Sequence, residues 1–170
     1  MSDPRESLER AREAYTGFID GFQSLILATA DGQGSPLASY APYVRDPQGG
    51  FCIFVSELAE HTGNLLARGE ASVLFIESEA DTRQIFARRR ASFRCQVTEV
   101  TRGTEGAGAI LARFAGRFGE IMGLLSGLGD FRLLRLTPVE GRFVIGFGQA
   151  YRLVGPGLND LAPIGPDERG

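Results

Sequence analysis

The residues best equipped for chemistry lie between Ser39 and Arg94. Arg83, Arg88, Arg89, Arg90 and Arg94 follow one another with no acid among them. A guanidinium is permanently charged, and its planar fork of donors matches a carboxylate or a phosphate. The run therefore suits an anionic ligand, with Arg88 and Arg90 as the candidate contacts. Glu77, Glu79 and Asp81 stand just before it, and ion pairs with them are the alternative use of the same arginines. His61 is the sole histidine. A zinc site or a Ser-His-Asp triad would have to use that one residue; a half-buried, hydrogen-bonded packing role is the alternative. Tyr40 and Tyr43 are either core or interface aromatics or the flanks of a planar ligand.

Composition removes whole classes of function. All 18 basic residues are arginine, so a Schiff-base lysine and a P-loop lysine are both excluded. Cys52 and Cys95 are too few and too far apart for a disulfide framework or a CxxC metal site. No metal ligand set and no catalytic side chain is assigned. The net charge of −3 gives no reason to expect nucleic-acid or acidic-membrane binding. The chain shows no secretory signal and no apolar run of membrane length, so a cytoplasmic protein is expected. Its 170 residues suffice for one complete core.

These residues have to be positioned by strands and helices, and the pattern supplies both. Residues 2–22 repeat apolar positions at three- and four-residue steps and predict an N-terminal helix that packs on the domain or on a partner. Residues 25–30 and 37–44 predict strands joined by the turn Asp31-Gly32-Gln33-Gly34. Pro42 marks an edge, a bulge or a strand end. After the turn Asp46 to Gly50, residues 51–55 read as a buried strand. Ser56 reads as the N-cap of a helix reaching Arg68, stopped by Gly69. Residues 73–76 form the next strand, followed by a basic strand. From Arg90 onward Ala91, Phe93, Cys95 and Val97 alternate with Arg90, Ser92, Arg94 and Gln96, so the arginines face away from the core. One or two helices are expected over 104–128. Two strands, 130–136 and 142–147, should flank a turn at Thr137-Pro138-Val139-Glu140-Gly141. Gly146-Phe147-Gly148 reads as a bulge or a close strand contact. The expected architecture is mainly β with flanking helices, a single antiparallel barrel domain over 1–154 with a loop-like or disordered tail over 155–170.

The blocks SYAPYV (39–44), FVSELAEHTGNL (54–65), IFARRR (85–90), DFRLLRLTP (130–138) and GFGQAY (146–151) are similar, in order and spacing, to one group of proteins. The chain resembles the haem-utilisation branch of the pyridoxamine 5′-phosphate oxidase-like, FMN-binding split-barrel superfamily, over roughly residues 21–153. The resemblance implies a split β-barrel, a homodimer, and a small-molecule cofactor site between the subunits.

It also implies where a cofactor would sit. Flavin-binding relatives clamp the FMN phosphate with basic residues that fall here at Ser39 and Val44, and with a second basic pair that falls at Glu60 and His61. A phosphate dianion needs charge-assisted donors, and this chain offers Ser39, Tyr40, Ser56, His61, Thr62, Arg88 and Arg90 as the cofactor-binding set. The oxidase's own substrate-binding Arg-x-His is absent, so pyridoxamine phosphate oxidation is not expected. Haem-handling members carry an axial histidine in the C-terminal tail, and residues 158–165 have none, although Asp130 of the DF motif is kept. The leading expectation is an FMN-binding oxidoreductase. The alternatives are a haem-binding or haem-degrading protein, with the arginines pairing with propionates, and a cofactor-free dimeric binding module.

Overall fold

The computed structural model describes residues 4–164. The first three residues and residues 165–170, the ends of the expected N-terminal helix and of the expected tail, lie outside them. Eight strands form one antiparallel sheet in the order β3-β2-β1-β4-β5-β6-β7-β8, and a further pairing of β3 with β6 closes the first six into a barrel. The strands are β1 (Ser24–Ala30), β2 (Pro36–Arg45), β3 (Phe51–Ser56), β4 (Glu70–Ile76), β5 (Arg90–Glu99), β6 (Phe131–Gly146), β7 (Gln149–Val154) and β8 (Asp160–Pro163). Closure removes the free edges that an open sheet would expose.

Inward-facing aromatics fill the barrel. Tyr43, Phe51, Phe75 and Phe93 form a chain of rings with centroids between 5.1 and 5.9 Å apart for Tyr43–Phe51, Tyr43–Phe75, Phe51–Phe75 and Phe51–Phe93. Such pairs add about 0.5–1.5 kcal/mol each beyond the area they bury. The Tyr43 hydroxyl donates to the Ile19 carbonyl at 2.6 Å, so this tyrosine is a core residue with its polar tip satisfied. Burial pushes its pKa up to about 12.

Helix α1 (Pro4–Tyr15) lies against this barrel. Ala11 and Tyr15 are buried, Tyr15 donates to the Leu158 carbonyl, and Arg12 pairs with Asp160 at 2.8 Å. The helix thus spends its apolar face on its own chain, and residues 19–21 continue as a short 3₁₀ turn. A second core joins Val44, Cys52, Phe54 and Leu133 to Ala107, Ile110 and Phe114 of α3 (Glu105–Phe118) and Met122 of α4 (Ile121–Ser126). Thr104 caps α3 by accepting from the Ala107 N–H, and Gly119, at φ 75°, separates the two helices.

Several expectations need correcting. Residues 137–141 are not a turn: β6 runs unbroken for 16 residues. Pro138 is tolerated because it stands beside a bulge in β6: Glu140 pairs with Arg94 and Pro138 with Cys95, so Val139 is the extra residue. Gly141 is there for space, since a Cβ would come within 2.6 Å of Leu153 and 3.0 Å of Phe93. The glycines at 146–148 turn the β6–β7 hairpin, with the register shift falling between Val144 and Gly146. The segment after Gly155 is not loop throughout: β8 pairs with β7 from Asp160 to Pro163. Pro42 sits where β2 leaves β1 and takes up β3, since Ser24 pairs with Pro42 and the next residue, Tyr43, pairs with Ile53.

Candidate functional site

The helix that carries His61, α2, spans Glu60–Arg68 and ends at Gly69, whose φ of 67° is left-handed. It begins later than the sequence suggested, and its N-cap position is Ala59. Ser56 is therefore not the cap. It is the last residue of β3, and its hydroxyl donates to Asp130 Oδ2 at 2.6 Å while accepting from the Leu58 N–H at 3.1 Å. The Glu57 N–H donates to the Asp130 carbonyl at 2.8 Å. Asp130, from the loop before β6, thus pulls the chain into a turn that delays the helix. That turn leaves Leu58 91% exposed.

Thr62 is fully buried and donates its hydroxyl to the Ser56 carbonyl at 2.7 Å. Asn64, also buried, donates to the Thr29 hydroxyl at 3.1 Å. These two bonds fix α2 against β3 and β1. His61 then faces β2, and its Nδ1 lies 3.1 Å from Ser39 Oγ. His61 is half-buried, and burial holds its pKa below the usual histidine value. The neutral imidazole is favoured. In the tautomer that donates Nδ1–H to Ser39, the Nε2 lone pair is left to act as a ligand or a base.

His61 is thus brought to Ser39 and Thr62 to Ser56, with Asp130 bonded to Ser56. Tyr40 is next to Ser39 in sequence but on the opposite face of β2, 68% exposed. In the register it stands beside Ile26, which stands beside Leu74, so an apolar strip crosses the outer face of β2, β1 and β4.

The arginines stand elsewhere. The register row of Ser39 runs through Leu27 and Val73 to Phe93, three residues beyond Arg90 on β5. Three strand spacings and three residues of rise separate Arg90 from Ser39 by about 14 Å across the sheet and about 10 Å along it. Nor do the arginines share one strand. Residues 85–87 form a 3₁₀ turn, Arg88 and Arg89 follow it in the loop, and only Arg90 opens β5. Arg88 donates through Nε to the Glu77 carbonyl at 2.9 Å, again through Nη2, and approaches Glu79 at 3.4 Å. Arg89 pairs with the Glu77 carboxylate at 2.7 Å. Arg88 and Arg89 take the ion-pair role, while Arg90 donates only to the Arg88 carbonyl, at 3.2 Å.

The thiols offer no chemistry of their own. Cys52 and Cys95 are buried, and burial pushes their pKa values up to about 11 and about 12. Among the described residues no three His, Cys, Asp or Glu side chains converge in a metal-binding group. No helix among them is long and apolar enough to cross a membrane.

Comparison with known proteins bears on what such a site handles. Residues 11–145 match the family model described as pyridoxamine 5′-phosphate oxidase. The heme oxygenase HutZ of Vibrio cholerae is 42% identical over 142 residues, 84% of this chain and 80% of that protein. The crystal structure of Vibrio cholerae HutZ, there called a heme storage protein, superposes with a TM-score of 0.66 at 36% identity, covering 81% of this chain and 91% of that one. Campylobacter jejuni ChuZ superposes with a TM-score of 0.81 at 29% identity, covering 95% of this chain but only 65% of the longer relative. The barrel, the motif order and these likenesses agree: the chain belongs to the pyridoxamine 5′-phosphate oxidase-like split-barrel family, in its haem-utilisation branch.

Proposed function

We propose that this protein binds haem at the Ser39–His61 end of the barrel and acts in haem utilisation. The observation that carries this reading is the state of His61: burial disfavours its charged form, and Ser39 anchors its Nδ1. A neutral imidazole suits an iron ligand and is the wrong species for clamping a phosphate dianion. The identity with HutZ supports the same choice. FMN, the leading expectation from the sequence, fits the residues less well. Ser39 and Val44 carry no charge, and Arg88, one of the arginines offered in their place, is tied to Glu77 and Glu79.

Haem would supply the iron and the oxygen chemistry; the chain's own part is to hold and orient. His61 would be the nitrogen ligand, Ser39 would fix its ring, and Leu58 offers apolar surface in the turn just before α2. A homodimer belongs to this proposal. Helix α1 does not supply the interface, since its apolar side is already covered. The strip of Tyr40, Ile26 and Leu74 is the surface assigned to the partner copy.

The test is titration of haemin into the purified protein, followed at the Soret band near roughly 400 nm, with FMN followed near roughly 450 nm in parallel. Protons compete with iron for the imidazole. Affinity is therefore level at neutral pH and falls as pH drops through the His61 pKa, which lies below about 6.5. His61→Ala should shift the Soret band and flatten that profile. An unshifted band with a flat profile in both proteins removes His61 from the site, and FMN binding without haem binding restores the flavin reading.

A further inference from the structure

A groove of about 450 Å³ opens where the turn between β2 and β3 meets α3 and the segment that joins β7 to β8, and its walls include Asp20, Arg45, Asp46, Gly49, Arg113 and Gly157. Two guanidiniums stand in it. Arg45 closes β2, and its side chain is only 25% exposed. Its guanidinium carbon lies 5.9 Å from the ring centroid of the buried Phe51, which backs it from inside the barrel. Arg113, on the exposed side of α3, donates to the Arg45 carbonyl at 3.3 Å and so brings a second cation to the same place.

The acids of the groove do not match these two charges. Asp46 is buried and committed: it accepts from the Gln48 and Gly50 N–H groups and from Arg135 Nε at 2.6 Å. Asp20 reaches Arg45 at 3.4 Å with a carboxylate that is 61% exposed, a contact that water screens. Arg113 bonds a carbonyl, which takes up none of its charge. Arg45 Nε is buried and has no hydrogen-bond partner. A charged donor withdrawn from water and left unpaired opposes folding.

The backbone keeps the groove open at some cost. Gly49 has a φ of 88°, and a Cβ there would come 3.4 Å from Arg45 Nη2. Leu158, beside the groove, is the one non-glycine with positive φ among the described residues, at 54°, and Tyr15 holds it by donating to its carbonyl. Strain of this kind persists where the surroundings impose it, and it gathers at ligand sites.

We propose that Arg45 and Arg113 form a binding site for the carboxylate or phosphate group of a small molecule, with the oxyanion displacing Asp20 from Arg45. Each guanidinium offers the paired N–H groups that such oxyanions accept. The site is distinct from the Ser39–His61 cluster, because six residues of β2 separate Ser39 from Arg45, about 20 Å along the strand. It does not depend on haem binding.

Isothermal titration at constant ionic strength, with inorganic phosphate and separately with succinate, tests the site, and the tighter probe names its group. The wild-type chain should bind at least one of them. Arg45→Gln and Arg113→Gln should each weaken that binding about tenfold or more, the loss of a charge-assisted hydrogen bond. Arg83→Gln, which removes the same charge from the β4–β5 loop, should not. Asp20→Asn should tighten binding about two- to fivefold, the worth of the exposed ion pair with which the ligand competes. Circular dichroism checks that each variant is folded; should Arg45→Gln fail to fold, Arg113→Gln, at an exposed helix position, still decides. Binding of neither probe, a loss in Arg113→Gln no larger than in Arg83→Gln, or no gain in Asp20→Asn overturns the proposal.

Discussion

Replacing Thr62 by valine keeps the shape of a fully buried side chain and removes one hydroxyl, so it isolates the bond that seats α2 on β3. The lost bond runs from Thr62 Oγ1 to the Ser56 carbonyl at 2.7 Å. That carbonyl is not orphaned by the change, because the Ala59 N–H still donates to it at 3.1 Å. The cost should therefore lie near the net value of one hydrogen bond, about 1 kcal/mol, and not reach the 3 kcal/mol or so of an unsatisfied buried acceptor. For a chain of this size that is a fall in melting temperature of about 2–4 °C. Calorimetry or urea denaturation measures it. The same variant should bind haemin less tightly, because the first turn of α2, and with it His61, loses its tie to β3. An unchanged melting temperature would show that the bond does not hold α2. A loss well above 3 kcal/mol would mean that the Ala59 bond breaks as well, and the reasoning from a shared acceptor would fail.

The two arginines named from the sequence should now separate. Arg88→Ala removes the bonds to the Glu77 carbonyl that brace the β4–β5 loop and should cost about 1–2 kcal/mol in urea denaturation. Arg90→Ala should leave stability within about 0.5 kcal/mol, and a haemin titration that finds it weaker than wild type would make Arg90 the ligand contact. Equal stability losses in the two variants would contradict this division. If the outer strip is the dimer surface, Ile26→Glu places charge at a position that is 42% exposed in a single chain. Light scattering at micromolar concentration should then show a dimer for the wild type and a monomer for the variant; a wild-type monomer ends the proposal.

Most of the barrel could be read from the sequence because period-two alternation and tight turns are local signals. Ala91, Phe93 and Cys95 face inward as their spacing predicted, and Gly69 stops α2 where its backbone freedom is needed. The errors fall where a distant residue overrides a local signal. Ser56 has the identity of an N-cap and even accepts from a nearby N–H, but Asp130, 74 residues away, holds its hydroxyl and moves the helix start to Glu60. The Thr-Pro-Val-Glu-Gly stretch has the composition of a turn. It is kept extended because β6 absorbs Pro138 beside a bulge at Val139, and because Phe93 and Leu153 close on the bare Cα of Gly141.

The same reasoning separates the candidate site into what sequence could group and what it could not. Ser39 and His61 lie 22 residues apart and meet across the β2–α2 contact, a pairing that the resemblance to flavin-binding relatives pointed to by position. Arg88 and Arg90 were grouped with them because a phosphate dianion needs charge-assisted donors and the relatives' own basic positions are not basic at Ser39 and Val44, yet the register places three strand spacings between Ser39 and Arg90. In one subunit these two groups cannot grip one end of a ligand. A ligand gripped by both must either be long enough to span the sheet or lie between two copies, with the histidine of one and the arginine of the other. If haem lies between two copies, Arg90 is the residue whose loss should weaken binding without disturbing the imidazole.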